Sequence, residues 1–286
     1  MNFFKPQKVK DFYLEKDSKS KKYEGKTYHI MEKYDGWYGY RFYDTAFRWS
    51  DVFSSSGKRI DALANQQYYP DTDLHTPNID CVLIFELYHP EWSFSEICSN
   101  LKQKQLDDFN IQFYCHDLII LNNVYLNFSE RYRALADLIK PTSKRHKLVP
   151  LLDTTCIESI WMNYAEDMWK VGKEGIILKD VASGYHMGKR NYTQMKVKEL
   201  NIIDLKVDYV EFTIGTKGKE GCVLHGIYDN IPVKVAVNSN KDKDFFRPMN
   251  RTKPENLYIE ISYMEKTEKG ALRHARFVRV REDKPT

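Results

Sequence analysis

Lys33-Tyr34-Asp35-Gly36 sets a lysine amine close to a carboxylate and to a glycine, residue types suited to a nucleophile held in a turn. Along the chain follow Phe85-Glu86-Leu87, then Glu174-Gly175-Ile176-Ile177-Leu178-Lys179, then Lys196-Val197-Lys198, and finally Arg281-Glu282-Asp283-Lys284. An ordinary lysine, with a pKa near 10.4, is neutral only about one part in a thousand of the time near pH 7.4. A lysine nucleophile must therefore be activated. Burial, neighbouring cations such as Lys196 and Lys198, and a metal ion on nearby carboxylates all favour the neutral amine. Attack on phosphorus suits this set, because phosphoryl transfer is mostly positioning and charge neutralisation, and the chain offers cations and carboxylates in number.

The elements that position these residues read as short strands. Thr27 to Met31 enters the Lys33 loop and Trp37 to Tyr43 returns from it, which places the lysine on a loop between paired strands. Cys81 to Phe85 is a buried-strand pattern ending at Glu86, Ile111 to Leu121 is a second, and Gly175 to Leu178 is a third, with Glu174 at its start and Lys179 at its end. Lys196 and Lys198 alternate on a strand and so share a face. Helical spacing marks 129–139, through Tyr132, Leu135 and Ile139, and 157–169, through Ile160, Trp161, Tyr164 and Met168. These stripes read as core, and Pro141 to Pro150 reads as a polar connector. After Lys198 the texture changes to five short strands broken by turns such as Gly215-Thr216-Lys217-Gly218: Asp204 to Val210, Gly221 to Ile227, Pro232 to Val237, Leu257 to Tyr263 and Arg276 to Val280. This pattern suits a small barrel of the oligonucleotide-binding type, with a hinge near 200–205.

The 286 residues suffice for one large or two moderate domains, and 14% aromatic content with 29% charged residues excludes a disordered chain. The net charge of +4 is not diagnostic of nucleic-acid binding, so the distribution of cations matters more. One cluster holds Lys5, Lys8, Lys10, Lys16, Lys19, Lys21, Lys22 and Lys26, interleaved with acids as on a solvated surface. The other alternates with apolar residues around Arg273, Arg276, Arg279 and Arg281, which suits a strand face turned to phosphates. The five cysteines, Cys81, Cys98, Cys115, Cys156 and Cys222, form no C-x-x-C pair, which points to a reducing compartment. No sustained apolar run supports secretion or membrane insertion, and a cytoplasmic protein is expected.

Taken in order from Lys33 to Lys284, these elements resemble the ATP-dependent DNA ligases of the covalent nucleotidyltransferase superfamily. Phe85 to Phe94 is similar to the segment after the motif glutamate in short bacterial and bacteriophage ligases, and Gly270 to Lys284 resembles the ligase C-terminus with its R-x-D-K element. The resemblance implies an α+β fold: an ATP-grasp-like nucleotidyltransferase domain of antiparallel sheets and flanking helices at 1–203, then an OB-fold barrel at 204–286. It implies nick sealing in duplex DNA, with ATP and Mg, by a monomer serving repair and replication. Lys33 would attack the α-phosphate of ATP, forming lysine-linked AMP. Asp35 would orient the amine or a metal-bound water, Gly36 would allow a tight backbone path, and Glu86 would accept from the ribose. Glu174, with Asp35, would serve Mg. Lys196, Lys198, Arg281 and Lys284 would meet phosphates, and Arg273, Arg276, Arg279, Lys217 and Lys219 would meet DNA. His116, in Phe113 to Leu118, takes the place of the family's base-stacking aromatic residue, with Ile177 on the other face.

Two departures stand out. The family pattern places arginines where this chain has Tyr38 and Ser55, and Arg41, Arg48, Lys58 or Arg59 are the nearby replacements. The alternatives are an mRNA guanylyltransferase, an RNA ligase of the same superfamily, or a nick-binding protein with weakened catalysis. NAD as adenylate donor is disfavoured, because neither a zinc-cysteine cluster nor a nicotinamide-binding domain is visible.

Overall fold

The computed structural model describes residues 4–13, 21–63, 74–103, 110–123, 125–214, 218–263, 265–267 and 270–281. The chain divides into two compact units, Met1–Lys198 and Glu199–Thr286.

The first unit contains ten strands: β1 (Lys8–Asp11), β2 (Tyr28–Glu32), β3 (Trp37–Asp44), β4 (Arg48–Ser54), β5 (Cys81–Tyr88), β6 (Gln112–Ile120), β7 (His146–Leu148), β8 (Leu151–Thr155), β9 (Gly175–Asp180) and β10 (Arg190–Lys198). Its helices are α1 (Phe94–Leu101), α2 (Phe128–Leu138) and α3 (Glu158–Lys170). The strands form two five-stranded sheets, ordered β1-β10-β9-β2-β8 and β4-β3-β5-β6-β7.

Strand alternation explains how the first sheet serves a core and a site at once. Tyr28, Ile30, Ile176, Leu178, Met195 and Val197 join Trp161 and Ala165 of α3 in one apolar cluster. Their neighbours in sequence, Met31, Ile177, Lys179 and Gln194, line a cleft on the opposite face. In the second sheet β5 lies between β3 and β6 and is buried on both sides. Leu83, Phe85 and Leu87 pack with Ile97 and Leu101 of α1 and Leu135 and Leu138 of α2, while Val82 and Ile84 pack with Phe4, Tyr40 and Tyr185. Both α1 and α2 begin in capping boxes, Ser93 with Glu96 and Asn127 with Glu130.

The expected strands and both expected helices of this unit are present, with bounds that differ in informative ways. β5 continues to Tyr88, so Glu86 lies inside the strand rather than at its end. β9 continues to Asp180, so Lys179 is a strand residue. The sheets are mixed rather than antiparallel, since β1 runs parallel to β10 and β6 parallel to β7. Both parallel pairs join segments distant in sequence, where the chain has room for a crossover. The connector between Pro141 and Pro150 contains β7.

The second unit is built on β11 (Asn201–Ile214), β12 (Glu220–Tyr228), β13 (Ile231–Val237), β14 (Tyr258–Tyr263) and β17 (Arg276–Val280), closed as a barrel in the order β11-β12-β13-β17-β14. Between β14 and β17 the short strands β15 (Glu265–Lys266) and β16 (Leu272–Arg273) form a ribbon. Leu205, Val207, Leu224, Val235, Ile259 and Ile261 fill the interior, and Phe246 of α4 (Asn240–Phe246) joins that core. All five expected strands occur, and β11 begins at Asn201, within the segment expected to hinge. The Gly215-Thr216-Lys217 part of the expected turn lies outside the described residues. Among the described residues no helix is long and apolar enough to cross a membrane.

Candidate active site

The cleft of the first unit lies between its two sheets. Met31, Ile177, Lys179 and Gln194 face it from one, and Tyr38, Glu86 and His116 from the other, with Lys33 and Tyr34 on the connecting loop.

Two glycines bring the loop into place. A Cβ on Gly36 would come within 2.6 Å of the Leu87 carbonyl oxygen, so only glycine lets the loop lie against the end of β5. Gly175 has φ of 137°, and a Cβ there would meet the Val197 carbonyl oxygen at 2.2 Å. The Gly175 carbonyl accepts from the Lys33 backbone N–H at 2.9 Å. This backbone bond ties the Lys33 loop to the residue beside Glu174.

The side chains converge accordingly. Lys33 Nζ donates to Glu174 Oε2, and Lys198 Nζ stands 3.5 Å from Glu174 Oε1. Lys196 lies opposite Ile177 in the β9–β10 register and faces the same side as Lys198. Its pKa is lowered to about 8, first by burial and then by the Lys198 and Lys33 cations, against the opposing pull of Asp11 and Glu174. Asp35 is exposed on the loop. Glu86 is raised to about 8 chiefly by burial, with Glu174 and Asp35 adding to the rise and Lys33 opposing it. Glu86 Oε2 is buried without a hydrogen-bond partner, an acceptor directed at something the protein itself does not supply.

His116 lines the cleft with Ile177. Lys179 Nζ contacts His116 Nδ1 at 3.1 Å, the His116 carbonyl at 3.0 Å and Asp117 Oδ2 at 3.1 Å. An ammonium only donates, so Nδ1 accepts and the imidazole proton sits on Nε2. Burial, then the Lys179 cation, lowers His116 to about 3, and the ring is neutral. Burial pushes Asp117 upward, but Arg131 and Lys179 outweigh it and hold the carboxyl below its ordinary range. Arg131 Nε donates to Asp117 Oδ1 at 2.8 Å. Lys179, Arg131 and Asp117 thus form a buried ionic frame beneath His116.

Sequence reasoning assigned no role to Lys179, although alternation in Gly175, Ile177 and Lys179 already places them on one face. Arg131 and Tyr185, which act through a helix and a loop, leave no local signal. Tyr38 is hydrogen-bonded to Tyr185, whose hydroxyl accepts from the Gln7 N–H at 2.8 Å. Ser55 is exposed in the turn after β4. Of the four replacement cations, Arg41 lies on the opposite face of β3 from Tyr38 and stacks 4.8 Å from the Trp49 ring. Arg48 donates to Tyr43 at the far end of the β3–β4 hairpin, and Arg59 pairs with Asp61 and Asp51. Lys58 is exposed in the turn beside Ser54, which pairs with Gly39 at the cleft end of β3.

The remaining expected residues belong to the second unit. Arg281 pairs with Asp204 and, at 3.6 Å, with Glu260. Arg279 pairs with Glu260 at 2.8 Å. Arg276 and Lys219 are exposed, and Arg273 is half-buried on β16. Lys217, Lys284, Lys16 and Lys19 lie outside the described residues.

Two mixed sheets around a lysine-bearing cleft in one unit, and a closed five-stranded barrel in the other, make up this fold. Residues 85–198 match the family model described as the ATP dependent DNA ligase domain. The chain is 28% identical over 225 residues to DNA ligase 1 of Korarchaeum cryptofilum, a match covering 67% of this chain and 41% of that protein. It therefore spans less than half the length of that relative. A Lig E DNA ligase structure, studied for DNA binding with a minimal scaffold, superposes with a TM-score of 0.69 at 17% identity, over 97% of this chain and 99% of the other. The ATP-dependent DNA ligase of bacteriophage T7, complexed with ATP, gives a TM-score of 0.57 at 18% identity, over 96% and 98% of the two chains. These two likenesses establish the fold.

Proposed function

We propose that the chain is an ATP-dependent DNA ligase that seals 3′-hydroxyl/5′-phosphate nicks in duplex DNA. The observation that carries this reading is the meeting of Lys33, Glu174 and Lys198, from three separate sequence motifs, with Lys33 lining the cleft that also holds the unpartnered Glu86 oxygen. Lys33 is the nucleophile. It leaves Glu174, loses a proton and bonds to the α-phosphorus of ATP as pyrophosphate departs. The AMP then passes to the 5′-phosphate at the nick, and the 3′-hydroxyl displaces it. Lys196 and Lys198 neutralise phosphate charge, Glu86 Oε2 receives a ribose hydroxyl, and His116 with Ile177 brackets the base.

Glu174 and Asp35 both act electrostatically on Glu86, so two carboxylates flank the lysine. Among the described residues no group of three or more potential ligands gathers, but Mg needs only one or two carboxylates beside phosphate and water. Glu174 and Asp35 fit that need, and an ion held there would supply charge neutralisation for the phosphates. Exposed Arg276 and Lys219, with Arg273, Arg279 and the lysines beyond the described residues, provide the barrel's phosphate contacts. The protein works as a monomer in a reducing compartment, in keeping with five free cysteines.

The test is incubation with radiolabelled ATP or GTP and Mg, followed by isolation of the protein. ATP label should become covalent and acid-labile on the wild type and be absent from Lys33→Ala, which should still seal a pre-adenylated nick. Labelling by GTP alone, or persistent ATP labelling of Lys33→Ala, overturns the reading.

A further inference from the structure

Asp11 belongs to none of the motifs above and precedes the segment matched to the ligase domain. It ends β1, an edge strand that runs parallel to β10 with Asp11 opposite Lys196. Phe12 joins Met195 and Val197 in the core against α3, whereas Val9 lines the cleft. Alternation therefore puts Asp11 with Val9 on the cleft face, beside Lys196. Asp11 is only 7% exposed, and a carboxylate is buried at that depth at a cost unless a cation or hydrogen bonds compensate it.

The surroundings of Lys196 are mostly of its own sign. Lys198 shares its strand and face, and Lys33 approaches from the loop between β2 and β3. The carboxylates acting on it are Glu174, already engaged by Lys33 and Lys198, and Asp11. Beyond Asp11 stand Tyr13 and, from α3, Glu166.

We propose that Asp11 is a positioning residue, whose carboxylate on β1 holds the Lys196 side chain at the cleft and keeps it cationic for the nucleotide phosphates. The proposal rests on the nucleotide reading of the cleft. It gives the N-terminal strand a task in the reaction: Glu174 is engaged by two other lysines, and Asp11 is the carboxylate set opposite Lys196 in the sheet register. Loss of that charge leaves Lys196 in a partly buried place among cations, which favours the neutral amine.

The experiment uses the full chain and two readouts. Reductive methylation with 13C-formaldehyde reports the titration of Lys196 by NMR, its signal assigned by its loss in Lys196→Arg. Single-turnover self-adenylation from labelled ATP is then followed against pH. Asp11→Asn should move the Lys196 titration, and with it the high-pH fall in adenylation, to lower pH, with about tenfold less activity above the new midpoint for each unit moved. Asp11→Glu should restore most of the profile. In a Lys196→Arg background, where the guanidinium stays charged unaided, Asp11→Asn should leave the profile in place. An unmoved Lys196 titration in Asp11→Asn, or an equal shift in the Lys196→Arg background, overturns the proposal. Normal self-adenylation by Lys196→Ala would instead overturn the nucleotide reading, and it is scored apart from the titration.

Discussion

Tyr38 shows how a single replacement redirects a site. A tyrosine gives one neutral hydrogen bond where an arginine gives a charged fork, and here that bond is committed to Tyr185. Tyr38 lies opposite Glu86 in the β3–β5 register, so an arginine at this position would meet the unpartnered Glu86 oxygen before any phosphate. Tyr38→Arg should therefore slow self-adenylation, by about tenfold for about 1.4 kcal/mol of lost transition-state stabilisation. Lys58 is exposed in the turn beside Ser54, and if it replaces the family arginine in the proposed reaction, Lys58→Ala should slow sealing while self-adenylation stays near wild type. Single-turnover rates on a nicked duplex check both, and faster sealing by Tyr38→Arg would show that the cleft lacks a cation there. Glu86 gives a pH prediction. Its folded pKa of about 8 lies above the ordinary carboxyl value, so between the two the folded protein binds the extra proton and stability falls as pH rises. Glu86→Gln should flatten that fall, melting higher than wild type near pH 8.5 and without gain near pH 5. Parallel melting curves across this range would place the charge cost elsewhere.

Among the elements, legibility in the sequence followed the range of the contacts that make them. The barrel strands and helices α2 and α3 carry their own periodicity, and they were readable as such. β5 was readable but its end was not, because a strand buried on both faces runs apolar without alternation, and Glu86 looks like a stop when it is a cleft residue within the strand. β1 was invisible: Lys8 to Asp11 is short and charged, and only its pairing with β10 makes it a strand. The same holds in the site, where the motif lysines and glutamates stood out through their ordered resemblance to ligase motifs, while Asp117, Arg131 and Tyr185 meet His116 and Tyr38 only through the fold. Gly175 tests how an element positions chemistry. Gly175→Ala must displace the Val197 carbonyl and the loop bond to Lys33, as well as strain a φ of 137°. A loss of about 1–3 kcal/mol or more is expected, seen as a lower melting temperature together with weak ATP labelling. Gly172, with φ of 75° and open space around its Cβ position, is the control. Gly172→Ala should cost some stability and leave labelling intact, whereas equal labelling by both variants would mean that the Gly175 contact does not position Lys33.

At the scale of the whole molecule the chain forms two compact units, with the lysine-bearing cleft in one and the C-terminal arginines, proposed here to meet phosphates, in the other. Arg281, three positions before Lys284 in the sequence, is tethered to Asp204 on β11 and Glu260 on β14. In the proposed reaction Lys284 meets the pyrophosphate of ATP and has work only while ATP is being opened. Once Lys33 carries AMP, no pyrophosphate remains for Lys284 to neutralise. Lys284→Ala should thus reduce self-adenylation by tenfold or more, a loss of about 1.4 kcal/mol or greater at the transition state, and leave the sealing of pre-adenylated DNA close to wild type. Arg281→Ala serves as the contrast, because it also frees two carboxylates within the barrel and should weaken both assays along with thermal stability. Single-turnover measurement of each step in the two variants separates a step-specific cation from a structural one. Equal losses by Lys284→Ala in both assays would mean that the C-terminus acts on DNA throughout the reaction, and that the division of steps between the two units is wrong.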